Sequence, residues 1–383
     1  MRTLTFDDVE AACLGGGVYA CGGGGWLDHG LQNGHLAVTL GRPKLASIDE
    51  IPQHGLIVTI SAIGAPASDD FEMFPKDYIK AFELVRDAAL ELTGLPVVGV
   101  MNAQNGYSSS VNSWMPAAAC DLPVVDAAGD VRAHPTIKLG AFGYADDPLF
   151  RTVQAVVGGK RDLGAYLEVV AKGSLFRTSN ILRAASVQSG GFIASARLPL
   201  PVAEVRARAA LGAISCALEL GHAMMAADGA RAKLNAVVRV TGGEIRLEGQ
   251  VTAASLRTDG GFDHAQYSVV SSGTASSRAA SSRAASSKKS SSAGRKAKLY
   301  LMNEFMAMDV GGQRVTTFPD TISVFDVTTG LPLKSGEIKV GMNVAVLVVP
   351  YQKLPVSRGV LDKSAYPELE VALGIELMRY VFV

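Results

Sequence analysis

The sequence predicts an α/β fold: a three-layer α/β/α N-terminal domain with a largely parallel sheet, followed by a β-rich, barrel-like C-terminal domain. Two observations carry this reading. Short apolar, β-branched runs alternate with helical periodicity through the first two-thirds of the chain, which is the pattern of βαβ units around a buried sheet. Beyond about residue 235 apolar and polar residues alternate along segments joined by Gly-Gly and Thr-Gly turns, the texture of antiparallel strands. A chain of 383 residues, 48% apolar, is long enough for two such cores.

In order along the chain, Thr5 is an N-cap with Asp7 and Asp8 in the first turn, opening a helix that runs into glycines. "GLIVTISAIG" (55–64) is a buried strand ending in glycine. "DYIKAFELVRDAALELTG" (77–94) has helical period and a glycine stop. "LPVVGVMNA" (95–103) is a second strand, followed by a polar loop, a helix to Cys120 and a third strand, "LPVVDA" (122–127). A long alanine-rich helix is expected over about 202–227, after Pro199 and Pro201. "NAVVRVTGGEIRLEGQVTAASLRT" reads as a hairpin across its Gly-Gly pair, and "AKLYLMNEFMAMDV", "TISVFDVTTGLPL" and "NVAVLVVP" continue the β pattern. The division into domains is placed at 1–234 and 235–383. Within the second, 271–298 is a Ser/Ala-rich stretch with seven basic residues and no acid, which reads as a disordered, solvated insertion.

Composition excludes several function classes. Lys plus Arg and Asp plus Glu each number 36, so the chain lacks the basic excess of a nucleic-acid or membrane-surface protein. Four scattered cysteines (Cys13, Cys21, Cys120, Cys216), an N-terminus that is no signal peptide and no long apolar run together lead us to expect a reduced, cytoplasmic protein without a membrane span. The six histidines never take metal-site spacing, so no metal and no cofactor are expected.

The densest signal is "GGGVYACGGGG" (15–25), seven glycines in eleven residues. It is no dinucleotide fingerprint, because no strand precedes it, and no P-loop, because Trp26-Leu27-Asp28 follows instead of Lys-Ser/Thr. Two readings stay open: an anion-binding nest of backbone N–H groups, or close packing of backbone against backbone. After the third strand, Asp126-Ala127-Ala128-Gly129-Asp130-Val131-Arg132-Ala133-His134-Pro135 places charged groups where open α/β sheets bind ligands, beyond the strands' carboxyl ends. Asp126 or His134 is a candidate general base, and Arg132 a candidate holder of a carboxylate or oxyanion. The loop 102–110, with Asn105, offers neutral donors and acceptors, and Asn303-Glu304 and Phe318-Pro319-Asp320 add polar groups within the β part.

These segments, in this order, resemble the S-methyl-thiohydantoin desulfurase-like proteins, a family long described as a domain of unknown function. The resemblance rests on Asp8 and Ala20-Cys21-Gly22-Gly23-Gly24-Gly25, on Gly64-Ala65-Pro66, on the 122–135 stretch, on Asn303-Glu304-Phe305-Met306 and on Phe318-Pro319-Asp320-Thr321-Ile322. The chain departs from the family pattern at Ala128, where the family has a second aspartate, at Val131, where it has glycine, and at Thr136, where it has glutamate. The resemblance implies a hydrolase-like enzyme that removes methanethiol from an S-methylated hydantoin-type cyclic amide by attack of water at a ring sp² carbon. It implies Asp126 or His134 as base and Arg132 as charge-stabiliser. Gly22, Gly23, Gly24, Asn105, Glu304 and Asp320 would bind the substrate. The alternative is a non-catalytic binding subunit. The partners expected are the cyclic amide and either a second copy of the chain or a hydantoinase/oxoprolinase-type enzyme.

Overall fold

The computed structural model describes residues 1–68, 70–271 and 294–382; most of the Ser/Ala-rich insertion expected over 271–298 lies outside the described residues. The first element group is β1 (Arg2–Thr3), α1 (Phe6–Tyr19), α2 (Leu27–Gly41), β2 (Lys44–Ala46), β3 (Leu56–Gly64), α3 (Pro75–Thr93), β4 (Val97–Asn102), α4 (Trp114–Cys120) and β5 (Val124–Ala128). There follow β6 (Arg151–Gly158), β7 (Leu167–Ser174), α5 (Leu175–Gln188), β8 (Phe192–Pro201), α6 (Val202–Arg208), β9 (Ala210–Leu211), α7 (Ala213–Met225) and α8 (Ala230–Thr241). The remainder is β10 (Glu244–Asp259), β11 (Phe262–Ser271), β12 (Lys296–Met302), β13 (Glu304–Val310), β14 (Gln313–Thr317), β15 (Thr321–Asp326), β16 (Asn343–Val349), α9 (Tyr366–Leu373) and α10 (Met378–Val381).

The first sheet has the order β1-β2-β5-β4-β3-β8-β6-β7, with β9 added to β5. Its centre, β2-β5-β4-β3, is parallel, and the strands on either side of that run are antiparallel. Alternation along β3 sends Val58 and Ile60 to one face and Ile57 and Ile63 to the other, as the period of two requires. On the first face they meet apolar residues of α1–α4, and on the second those of α5, α6 and the segment after β5, so the sheet is covered on both sides. The second sheet, β14-β13-β12-β11-β10-β16-β15, is antiparallel throughout and curls as a half-barrel. Val18 and Tyr19 of α1, together with α7 and α8, pack on Phe325, Ala345 and Leu347 of this sheet and join the two layers of structure.

Local chemistry sets the element ends. Thr5 and Asp8 form a reciprocal capping box on α1. Asp77 accepts from the Phe74 N–H at the start of α3, Pro75 occupies its first turn, and Gly94 ends it in the left-handed region at φ 68°.

Three expectations need correction. The first helix does not stop at the glycines: Gly15, Gly16 and Gly17 lie inside α1, and only Gly22–Gly25 form the connection to α2. The helix expected over 202–227 is two helices, because residues 210–211 pair with β5 and Gly212, at φ 78°, restarts the helix. The hairpin expected across Gly242-Gly243 is a helix end: residues 230–241 form α8, which Gly242 stops at φ 64° before β10 begins. "NAVVRVT" is rich in β-branched residues, and packing of Leu234 and Val237 against the second sheet overrides that preference.

Candidate functional site

The parallel strands deliver their carboxyl ends to one cavity of about 50 Å³, a size that limits a ligand to a small molecule. Ser61, Ala62, Gly64 and Pro66 line it from the end of β3 onward, Ala103 and Gln104 follow β4, and His134 and Pro135 lie on the segment after β5. Gly24 and Gly25 close one side and Asn303-Glu304, at the β12–β13 turn, another.

The turn that delivers Glu304 is tied down from both layers. Asn303 sits in the left-handed region at φ 55°; its side chain accepts from the Asp263 N–H and donates to the Gly64 carbonyl. The Phe305 N–H donates to the Cys21 carbonyl at 2.7 Å, fastening β13 to the glycine turn. Glu304 is thereby buried, and its Oε2 has no hydrogen-bond partner among the described residues. Burial pushes its carboxyl up to about 8, against the opposing pull of Arg132 and Arg183.

His134 is held from the backbone side. Its N–H donates to Gln104 Oε1, and the preceding residue, Ala133, donates to the Tyr19 carbonyl at the C-terminal end of α1. Nδ1 lies 3.0 Å from the Thr136 carbonyl, so Nδ1 carries the proton and Nε2 keeps its lone pair. Nε2 is buried without a partner among the described residues, and burial lowers the imidazole to about 4. A neutral imidazole and a protonated carboxyl thus line the same cavity at neutral pH, the residue types that acid–base chemistry requires.

Two arginines complete the lining. Arg183 donates to the Gly64, Gly261 and Pro135 carbonyls and stacks on Phe262 at 4.1 Å. Arg197 donates through Nε to Ser195 Oγ at 3.1 Å, and burial lowers its pKa to about 9, leaving it charged. The sequence does not single out either arginine, nor Ser61 and Asn112, whereas Gln104 belongs to the polar loop 102–110 that it does point to. A signal was present: Thr59 and Ser61 in β3, Ser195 and Arg197 in β8, and Gln154 in β6 are polar residues within apolar strands. The register sets them side by side on one face.

Of the residues singled out from the sequence, His134, Gly24 and Glu304 line the cavity. Gly23 lies beside them: a Cβ there would stand 2.9 Å from Glu304 Cδ. Gly22, at φ 91°, backs onto Phe305. Asp126 is not brought to the cavity; its carboxylate accepts from the Ile214 and Ser215 N–H groups and the Ser215 hydroxyl, capping α7. Arg132 is fully buried, donates to the Ala133, Asp320 and Phe305 carbonyls and stacks on Phe318 at 4.8 Å, so it clamps the two sheets' connections together. Asn105 Nδ2 donates to the Val131 and Ala213 carbonyls, and Asp320 accepts from Thr316 and the Tyr351 N–H. Among the described residues no group of three or more His, Cys, Asp or Glu is placed to hold a metal, and no helix is long and apolar enough to cross a membrane.

A helix-covered mixed sheet, joined to an antiparallel half-barrel that contributes Asn303 and Glu304 to a small polar cavity at its strand ends, defines a two-part α/β protein with a strand-end site. Family models place it further: residues 7–161 match the S-Me-THD-like N-terminal domain and residues 174–359 the S-Me-THD-like C-terminal domain. The chain belongs to this S-methyl-thiohydantoin desulfurase-like family. A crystal structure of a protein from Chromobacterium violaceum shares the fold, with a TM-score of 0.68 and 21% identity over 98% of this chain and 99% of that one. No curated protein matches the sequence.

Proposed function

We propose that the protein is a hydrolase-like enzyme that removes methanethiol from a small S-methylated thiohydantoin ring. The observation that carries this is the pairing of a neutral, tautomer-fixed His134 with a protonated, unpartnered Glu304 on one small cavity. Membership of the S-Me-THD-like family supports the substrate class.

In this mechanism His134 Nε2 takes a proton from water as the water oxygen attacks the ring carbon bearing sulfur. Glu304 gives its proton to the ring nitrogen as charge develops there. The hydroxyl of the tetrahedral carbon then returns a proton to the Glu304 carboxylate as the carbonyl forms, the C–S bond breaks, and the sulfur leaves as methanethiol with the proton held by His134, so both side chains end as they began. The balance is one water in, one hydantoin and one methanethiol out. Gly24, Gly25 and Asn112 line the cavity around the ring.

The test is incubation of the purified protein with 2-methylthio-imidazolones, following methanethiol with a thiol reagent and hydantoin by chromatography. Release of both products that falls on Glu304→Gln and His134→Ala is the expected result. Ring binding without methanethiol release would overturn the catalytic reading in favour of a binding subunit of a hydantoinase- or oxoprolinase-type enzyme.

A further inference from the structure

The cavity carries more positive charge than the acid–base pair uses. Arg132 and Arg197 are buried and Arg183 half-buried in or beside it, and among the described residues none of the three forms an ion pair. The carboxyl among them, Glu304, is neutral below about pH 8. Burying an unpaired charge is costly, and proteins offset it with hydrogen bonds or a counter-charge. Arg132 and Arg183 are each compensated by three carbonyls and an aromatic face. Arg197 is not. Only its Nε is engaged, by the Ser195 hydroxyl, while Nη1 and Nη2 make no hydrogen bond among the described residues.

Arg197 is 5% exposed, and Ser61, paired with Ser195 across β3 and β8, is 6% exposed with an unpartnered Oγ. Both line the cavity, as does Asn112, whose buried Oδ1 has no partner among the described residues. A planar guanidinium fork beside a hydroxyl donor is the geometry that takes a carboxylate. We propose that Arg197 and Ser61 form an anion subsite within this cavity, and that the preferred ligand is a small cyclic amide bearing a carboxylate arm. The inference rests on the cavity being the ring-binding site, and it adds the substrate's charge and the residue that selects it.

Calorimetric titration at pH 7 with hydantoin-5-acetic acid, neutral 5-methylhydantoin and succinate separates the two readings. The acid should bind about tenfold or more tightly than the methyl compound, the scale of a charge-assisted hydrogen bond. Arg197→Gln should abolish that advantage and leave 5-methylhydantoin unchanged, and Arg197→Lys should retain part of it. Should Arg197→Gln not fold, Ser61→Ala removes only a hydroxyl and should lower affinity for the acid alone. Equal binding of acid and methyl compound, or a preference unchanged in the folded variants, overturns the subsite while the ring reading stands. Arg197-dependent binding of succinate with neither ring bound supports the subsite and overturns the ring reading. Binding of none of the three overturns both.

Discussion

Replacing Glu304 by glutamine should remove a specific pH dependence from the protein's stability. The carboxyl moves from an ordinary 4.5 to about 8 on folding because it is buried, with Arg132 and Arg183 only partly offsetting that cost. The unfolded carboxyl ionises through pH 4.5, while the folded one keeps its proton to about 8. Between those values the folded state binds more protons, so stability falls as pH rises and levels off above 8. At ~1.4 kcal/mol per pH unit the whole gap is worth about 5 kcal/mol, of which about 4 kcal/mol falls between pH 5 and 8.5. Asp130 is also fully buried and raised, to about 7, but it titrates alike in both proteins and cancels in the comparison. Urea unfolding followed by circular dichroism at pH 5 and pH 8.5 should therefore show the wild type losing about 4 kcal/mol more than Glu304→Gln. The same pH dependence in both proteins would refute a buried, protonated Glu304.

Other outcomes follow from the same contacts. His134→Ala should lower kcat for methanethiol release by about 100-fold or more, the scale of a lost general base, with secondary structure retained by circular dichroism. Asp126→Ala should cost about 1–2 kcal/mol in urea unfolding by uncapping α7, while turnover is kept, because that carboxylate faces helix amides rather than the cavity. Gly221→Ala should lower stability by about 1–3 kcal/mol and the thermal midpoint with it, since a Cβ there would stand 2.6 Å from Ala11 Cα where α7 packs on α1.

Much of this architecture is legible in the sequence, because apolar β-branched runs and glycine stops report local structure directly. β3, α3, β4 and β5 lie where periodicity puts them, and the rule that ligands gather at parallel strand ends leads to the segment holding His134. The glycine tract is two devices: Gly15–Gly17 let α1 pack against α7 and the loop after β4, and Gly22–Gly25 make the turn that meets Glu304 and the cavity. What the sequence conceals is which polar group is already spent. Asp126 and Arg132 carry the chemistry of a site, yet their bonds go to α7 amides and to backbone carbonyls that lie far away in sequence. Arg197 and Ser61 look incidental within their strands, because only the β3–β8 register sets them on one face. The break at Gly212 and the helix end at Gly242 are hidden for a related reason: a glycine marks a break without saying which element resumes after it.

The most direct test of the account is the pH profile of kcat/KM for methanethiol release. A neutral His134 base, lowered to about 4, and a protonated Glu304 acid, raised to about 8, predict activity that falls below about pH 4 and above about pH 8. In Glu304→Gln the residual activity should lack the alkaline limb. A wild-type profile with no alkaline limb near pH 8, or one that Glu304→Gln leaves in place, would contradict the assignment of this pair as the reacting acid and base.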